Sequence, residues 1–148
     1  MAGAILEGIR VLDFSRVLAG PYATRILADF GADVIKVQSK QTANGTESNT
    51  GGYFCTWNRN KRSITLDMRH EEAAGLAKKL AAISDVVIEN FSPRVMSNWG
   101  LNYKELKKVK PDLIMMSMSG MGQTGPWRNS EKPLPSKNSR RSNRISMS

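Results

Sequence analysis

Two kinds of hydrophobic pattern alternate along this chain, and that alternation restricts the fold more than any other feature of the sequence. Short apolar runs of strand length, several of them rich in Val and Ile, are typical of buried β-strands. These runs cover residues 9–14, 32–37, 63–68, 85–90 and 112–117. Segments with apolar residues at helical spacing lie between them, within 21–30, 70–83 and 102–109. Strands that alternate with helices predict an α/β fold: an open, mostly parallel sheet with helices on both faces.

The segment after the first strand predicts a tight turn followed by a helix. Apolar residues recur at helical spacing from Ala23 to Phe30, Pro21 suits a first helical position, and Gly31 suits the residue just past the end. In open parallel sheets, ligands bind beyond the carboxyl ends of the strands. We therefore expect functional residues within 14–20, 38–40, 67–69, 90–93 and 117–122.

Nucleotide-binding motifs do not fit this turn. The stretch "DFSRVLAGPYA" has one glycine and a proline where a dinucleotide fingerprint needs three spaced glycines. The second strand ends in Gln38, where NAD binding favours an acidic residue for the ribose hydroxyls. A GxxxxGK[ST] phosphate-binding loop is also absent from the sequence. The pattern therefore disfavours a nicotinamide enzyme and a P-loop NTPase.

The net charge of +9 is concentrated at the C-terminus. Residues 128–148 hold six Lys or Arg against one Glu, so about +5 of the charge lies there. This stretch has few apolar residues and no period, which is typical of disorder because little surface could be buried to offset the entropy of ordering. We therefore predict a body over residues 1–127 and a basic, disordered tail over 128–148. Nucleic-acid binding by the body is not expected, because the body is only mildly basic.

Other features of the sequence favour a soluble protein of a reducing compartment. No stretch approaches the ~20 apolar residues that span a bilayer, and "MAGAILEGIR" does not have the pattern of a leader peptide. The single cysteine, Cys55, can form no disulfide within the chain, and we expect a buried or half-buried thiol. No metal site is predicted. We expect a cytoplasmic location without membrane contact, with a mitochondrial location left open if the source is eukaryotic.

Four motifs in order give the sequence a family resemblance. The segments "LEGIRVLDFSRVLAGPYATRILADFGADVIKV", "NRNKRSITLDM", "SDVVIENFSP" and "LIMMSMSGMGQTGPW" together resemble the N-terminal part of the class III CoA-transferases of the CaiB/BaiF type, which include formyl-CoA and carnitine CoA-transferases. The resemblance implies transfer of CoA from an acyl-CoA to a carboxylic acid. It implies a Rossmann-like fold, coenzyme A and acyl-CoA as substrates, no permanently bound cofactor, and, for full-length family members, an interlocked homodimer.

The resemblance also implies a coenzyme A site at three strand ends. The matching positions are Val17, Leu18 and Ala19 in the first turn, Leu66, Asp67, Met68 and Arg69 after the third strand, and Asn90 and Phe91 after the fourth. Arg69 is the expected phosphate contact, and Lys61 and Arg62 are expected to be structural or to lie behind the residues that contact the ligand. The residues alone leave other interpretations open. Gly20 and Pro21 could simply separate two elements, the basic run could be a solvated face, and Asn90 could form a turn beside a core Phe91.

The resemblance stops before the family's catalytic residue. Its nucleophilic aspartate is expected some tens of residues beyond "GQTGP", whereas this sequence changes character after Trp127. We therefore assign no catalytic residue and expect a truncated, inactive chain. Departures such as Gln38 and Arg94 also leave CoA affinity and acyl preference open. Two alternatives remain: an acyl-CoA racemase of the same superfamily, and a non-catalytic binding module whose basic tail contacts nucleic acid or a membrane.

Overall fold

A computed structural model describes residues 3–39 and 51–129, which form one parallel sheet with helices packed on it. The sheet has five strands in the order β3-β2-β1-β4-β5, and every neighbouring pair is parallel. The strands are β1 Arg10–Asp13, β2 Asp33–Gln38, β3 Arg62–Thr65, β4 Val86–Glu89 and β5 Ile114–Ser117. The predicted α/β fold class and all five predicted strands are confirmed, with ends that differ by up to three residues.

Successive strand residues feed two separate cores, one on each face of the sheet. Leu12 and Val87 belong to the larger core, whereas Val11 and Ile88 belong to the smaller one. This follows from the strand period of two, which sends neighbouring side chains to opposite faces. A central strand of a parallel sheet is buried on both sides, and β1 accordingly has three consecutive residues without exposed surface (Val11, Leu12 and Asp13).

Helices cover the two faces unequally. They are α1 Ala19–Asp29, α2 Gly52–Asn58, α3 Ala73–Ala82, α4 Arg94–Asn98 and α5 Tyr103–Val109. The larger core receives Ala77 and Ala81 of α3, Met96 of α4 and Leu106 of α5. The smaller core receives Ala28 of α1, and α2 packs against α1. On this face the β5 side chains Ile114 and Met116 remain 62% and 49% exposed.

Several local predictions need correction. Helix α1 begins at Ala19, so Pro21 is its third residue, where its missing N–H is still harmless because the first four helical N–H groups have no intrahelical partner. Cys55 is exposed on α2, because that short helix buries none of its residues. Helices α2 and α4 were not predicted. Strand β3 ends at Thr65, which leaves the residues after it in a loop.

Two further predictions meet the limits of the described ranges. The disordered tail was predicted for residues 128–148, of which 130–148 lie outside the described ranges. The tail therefore stays a prediction. No helix within the described ranges is long and apolar enough to cross a bilayer. In the same ranges, no cluster of three or more His, Cys, Asp and Glu side chains could hold a metal ion.

Candidate functional site at the carboxyl ends of the strands

The strand order brings the turns after β1 and β4 together at the point where the order reverses. Strands β1 and β4 pair in parallel in the middle of the sheet, with Leu12 opposite Val87. In sequence, 72 residues separate the end of β1 at Asp13 from the start of β4 at Val86. Chain connections leave this point in opposite directions, which opens a crevice beyond the strand ends. The turns after β1, β3 and β4 all lie on this carboxyl edge.

A buried carboxylate organises the turn after β1. Asp13 has no exposed surface, and it accepts hydrogen bonds from the backbone N–H and the hydroxyl of Ser15. It also accepts one from the Thr24 hydroxyl of α1 at 2.7 Å. The Lys61 ammonium group completes the set at 3.1 Å. One side chain at the end of β1 thus ties together the turn, the first helix and the segment before β3.

Two lysines balance this carboxylate inside the protein. Lys61 has a side chain only 1% exposed, and its ammonium group also donates to the Pro21 carbonyl at 3.0 Å and to the Asn58 side-chain oxygen at 2.9 Å. Lys36 of β2 lies 3.9 Å from Asp13 and donates to the backbone carbonyl of Ser15. The expectation that Lys61 is structural agrees with this burial.

The pKa shifts of the buried pair follow from burial and charge. Burial alone would raise the pKa of Asp13, but the charges of Lys36 and Lys61 and the Ser15 and Thr24 hydrogen bonds outweigh it, so this pKa lies below its ordinary value. Burial lowers the pKa of Lys61, and Asp13 partly offsets that effect. We infer that the carboxylate stays ionised at neutral pH.

Close backbone approach makes glycine necessary at the start of α1. A Cβ atom on Gly20 would lie 2.1 Å from the Cβ atom of Ser15 and 3.5 Å from the side-chain amide carbon of Asn90. Real Cβ contacts are never so short, so any larger residue would push the helix away from the turn. The glycine of "VLAGP" thus serves packing within the turn.

A cleft of about 270 Å³ opens at the same edge, between the ends of β3 and β4. Its walls are mainly apolar and aromatic, and its polar groups include two arginines. The lining residues are Phe14, Arg16, Val37, Ser39, Leu66, Asp67, Met68, Arg69, Phe91, Val95 and Trp99. Phe91 and Trp99 meet edge to face with ring centroids 5.3 Å apart, which fixes one aromatic wall.

An exposed ion pair lies at the mouth of this cleft. The Arg69 guanidinium Nε donates to Asp67 Oδ1 at 2.9 Å, and Nη2 donates to Oδ2 at 2.5 Å. These hydrogen bonds hold the pKa of Asp67 well below its usual range and raise that of Arg69. The arginine remains cationic and keeps 66% of its side chain exposed, so it can meet an anion from solvent.

The structure brings most of the predicted site residues together, but not all. Leu66, Asp67, Met68, Arg69 and Phe91 line the one cleft. The turn residues Val17, Leu18 and Ala19 lie on the same carboxyl edge but do not line it; Val17 and Leu18 are 55% and 44% exposed. The Asn90 amide contacts protein backbone: its oxygen accepts from Arg16 N–H at 2.7 Å, and its nitrogen donates to the Arg16 carbonyl at 2.8 Å.

Sequence reasoning missed three lining residues that complete the cleft. Val37 lies just before the expected range 38–40, and Val95 and Trp99 belong to or follow the unpredicted helix α4. Arg16 lies within the expected range 14–20 but was not singled out. The signal for Val95 and Trp99 was present in the sequence, since "SPRVMSNWG" places them four residues apart, on one side of a helix. A single helical turn is too short for that spacing to stand out.

The strand order β3-β2-β1-β4-β5, with a cleft at the carboxyl ends of the strands, defines the class as a Rossmann-like α/β domain. The model of the family "CoA-transferase family III" matches residues 6–132, and the chain belongs to that family. The resemblance seen in the sequence is thereby confirmed.

Relatives and solved structures agree with this assignment. The chain is 45% identical to succinyl-CoA:glutarate CoA-transferase of Mus musculus, over 82% of this chain and 29% of that protein. It is 44% identical to the alpha subunit of succinyl-CoA–L-malate CoA-transferase of Chloroflexus aurantiacus, over 83% and 31%. A CaiB/BaiF family protein from Brucella suis is 40% identical with a TM-score of 0.79, over 87% of this chain and 37% of that one. The chain thus spans about a third of the length of these proteins.

Proposed function

We propose that this chain forms the coenzyme A-binding part of a CoA-transferase, an enzyme that moves CoA from an acyl-CoA to a carboxylic acid. The observation that carries the proposal is the cleft, which combines aromatic walls with Arg16 and Arg69 in a member of this family. Coenzyme A has an adenine ring, several phosphates and an amide-bearing arm. Aromatic walls suit the adenine, and guanidinium groups suit the phosphates.

The size of the cleft indicates that coenzyme A would contact two surfaces, the cleft itself and the neighbouring turn. At about 270 Å³ the cleft lies slightly below the range of roughly 300–1,000 Å³ for small-ligand sites and is too small for the whole of coenzyme A. We assign the nucleotide end to the cleft formed by Leu66–Arg69 and Phe91. The arm would then run along the strand ends toward the turn Val17–Ala19, which lies on the same edge and keeps exposed surface for it.

Equilibrium binding of coenzyme A tests this assignment. Calorimetry should detect binding to the 148-residue chain, and Arg69→Ala should weaken it about tenfold, the loss expected for one charge-assisted hydrogen bond. Arg59→Ala is the matched control, because Arg59 also forms an exposed ion pair, with Asp29 at 2.7 Å, but does not line the cleft. Equal effects of the two substitutions, or no binding by the wild-type chain, would refute the site.

Turnover is a separate outcome, and we expect none from this chain alone. The family resemblance implies an aspartate nucleophile, and the two aspartates closest to the site are poor candidates. Asp13 is buried under four hydrogen-bond donors, and Asp67 is held by Arg69. Acyl-CoA exchange between succinyl-CoA and added carboxylic acids, followed by mass spectrometry, should stay at the level of a protein-free control. Exchange that disappears in Asp67→Asn would instead make Asp67 the nucleophile.

The homodimer implied by the resemblance is also part of this proposal. The exposed Ile114 and Met116 side chains of β5 support it, because adjacent apolar groups on a sheet face favour contact with further protein. Sedimentation velocity at micromolar concentrations should show a dimer that Met116→Lys weakens. A monomer at every concentration would remove this part of the proposal and leave the coenzyme A site untouched.

A further inference from the structure

The turn between β1 and α1 contains a backbone conformation that needs outside support. Val17 has φ 64°, in the left-handed region. A β-branched residue rarely adopts this region, because the strained backbone conformation costs on the order of 1–3 kcal/mol. Such a conformation persists only where the surrounding structure determines it. The contacts of the two preceding residues, Ser15 and Arg16, show what holds the turn.

The Asn90 side chain forms hydrogen bonds with both the backbone N–H and the backbone carbonyl of Arg16. Its side-chain oxygen accepts from the Arg16 N–H at 2.7 Å, and its side-chain nitrogen donates to the Arg16 carbonyl at 2.8 Å. The amide therefore reaches across the switch point, from the end of β4 to the turn after β1, and engages its acceptor and its donor there. The two bonds fix the plane of the amide toward the turn, although one amide hydrogen and one oxygen lone pair are left over.

Ser15 is held from the inside of the protein. Its N–H donates to the Asp13 carboxylate at 2.9 Å, and its carbonyl accepts from the buried Lys36 ammonium group. Asn90 on one side and this buried cluster on the other thus fix two consecutive residues before the left-handed one. Because Arg16 lines the cleft, fixing its backbone also fixes where its side chain starts.

We propose that Asn90 is a positioning residue for coenzyme A binding: it clamps the Arg16 backbone, which sets the Val17 turn and places the Arg16 side chain at the cleft. This inference rests on the coenzyme A site proposed above. It changes the role expected for Asn90 from the resemblance, where Asn90 contacts the ligand. Arg16 becomes a phosphate contact alongside Arg69, and Asn90 acts through it.

The test measures the turn and the ligand separately. Hydrogen exchange reports the amides of Arg16–Leu18, and calorimetry reports the dissociation constant of coenzyme A. Asn90→Ala removes both clamp bonds, whereas Asn90→Asp keeps the acceptor for the Arg16 N–H and loses the donor. Ser84→Ala is the matched control: Ser84 is buried, its hydroxyl donates to the Leu80 carbonyl at 2.8 Å, and it precedes β4 at the opposite edge of the sheet.

Asn90→Ala should speed exchange of the Arg16 amide at least tenfold and raise the dissociation constant of coenzyme A about tenfold. Asn90→Asp should leave the Arg16 amide slower to exchange than in Asn90→Ala, because the acceptor for this N–H is kept. Ser84→Ala should change neither, despite a comparable loss of stability from one buried hydrogen bond.

Three results would overturn the positioning role. In the first, Asn90→Ala weakens binding but leaves turn exchange unchanged, which would make Asn90 a direct ligand contact. In the second, Ser84→Ala reproduces both effects, which would reduce the role of Asn90 to general stability. In the third, turn exchange rises without any change in binding. Should the wild-type chain not bind coenzyme A, the proposed function fails, while the exchange data still decide whether Asn90 holds the turn.

Discussion

The turn after β1 and the loop after β3 lie on the same edge of the sheet, yet they are stabilised in opposite ways. The turn is tied to a carboxylate without exposed surface, Asp13, and to two lysines whose side chains are at most 3% exposed. The loop carries the Asp67–Arg69 ion pair, whose arginine is 66% exposed. The first arrangement holds backbone in place, and the second leaves a cation available to solvent.

Because of this difference, we expect the turn to contribute mainly to stability and the loop mainly to ligand binding. Removing one partner of a buried ion pair leaves an uncompensated charge and is strongly destabilising, whereas exposed pairs contribute little because water and salt screen them. Substitutions in the turn should therefore change stability first. Those in the loop should change ligand affinity first.

The largest effect is expected from Asp13→Ala. This substitution leaves the buried ammonium groups of Lys36 and Lys61 without their shared carboxylate, and should lower the free energy of unfolding by about 3–5 kcal/mol. Urea unfolding measures it. Asp33→Ala is the control, because the Asp33 partners Arg10 and Arg62 are more exposed, and its effect should be much smaller. Equal losses would show that the burial of Asp13 has no energetic importance.

Gly20→Ala should have the next largest effect. The added Cβ would lie 2.1 Å from the Ser15 Cβ, so the helix or the turn must move, at a cost of about 1–3 kcal/mol. Gly75→Ala is the matched control inside α3, where an added Cβ meets nothing within 4 Å, and it should stabilise the protein by up to about 1 kcal/mol. Thermal unfolding of both variants checks the sign; a stabilised Gly20→Ala variant would contradict the close approach.

Acid should lower the free energy of unfolding by protonating Asp13. Its pKa is lowered in the folded protein, so the stabilisation that it provides is present above its ordinary pKa of 3.8 and is lost as the pH falls through the folded value. The carboxyl carbon shift of Asp13 in NMR spectra should therefore stay that of an ionised group at pH 3.8. Titration of Asp13 at or above that pH would show that burial, and not the two lysines, dominates its environment.

The smallest stability effect is expected from Asp67→Asn. This substitution weakens an exposed ion pair, so the midpoint of thermal unfolding should change by no more than about 3 °C. The dissociation constant of coenzyme A should be affected more than the stability is, because Arg69 loses the partner that orients it at the cleft. A large drop in the midpoint would mean that the loop, like the turn, is part of the structural framework.

Local periodicity was sufficient to predict most of the fold. Val and Ile runs bounded by polar residues gave the central strands, because a strand buried on both faces must be apolar throughout. Helix α5 was predicted with its ends nearly correct from the spacing of Tyr103, Leu106 and Val109. The structure adds that Asn102 caps it by accepting from the Glu105 N–H. Helix α2 buries none of its seven residues, so no stripe of buried apolar residues marks it in the sequence, and α4 has five residues, too few for a helical period to be recognised.

The candidate site was harder to predict because its key contacts join distant parts of the chain. Asn90 and Arg16 lie 74 positions apart, and Lys61 and Asp13 lie 48 apart. Lys61 belongs to a basic run whose other members, Arg59 and Arg62, are exposed, and its local sequence carries no sign that it is buried. The family resemblance pointed to the strand ends, which stays a prediction, and pairwise geometry was needed to distinguish residues that line the cleft from those that hold the turn.

The proposed function requires the carboxyl edge between β3 and β4 to bind coenzyme A. Backbone amide shifts of the 148-residue chain, followed by NMR during a coenzyme A titration, map that binding directly. We expect saturable shifts concentrated in residues 14–19, 66–69 and 90–99, with small changes at the opposite edge, around Ser84 and Asp85. Shifts spread over the opposite edge, or no saturable shifts at millimolar coenzyme A, would contradict it.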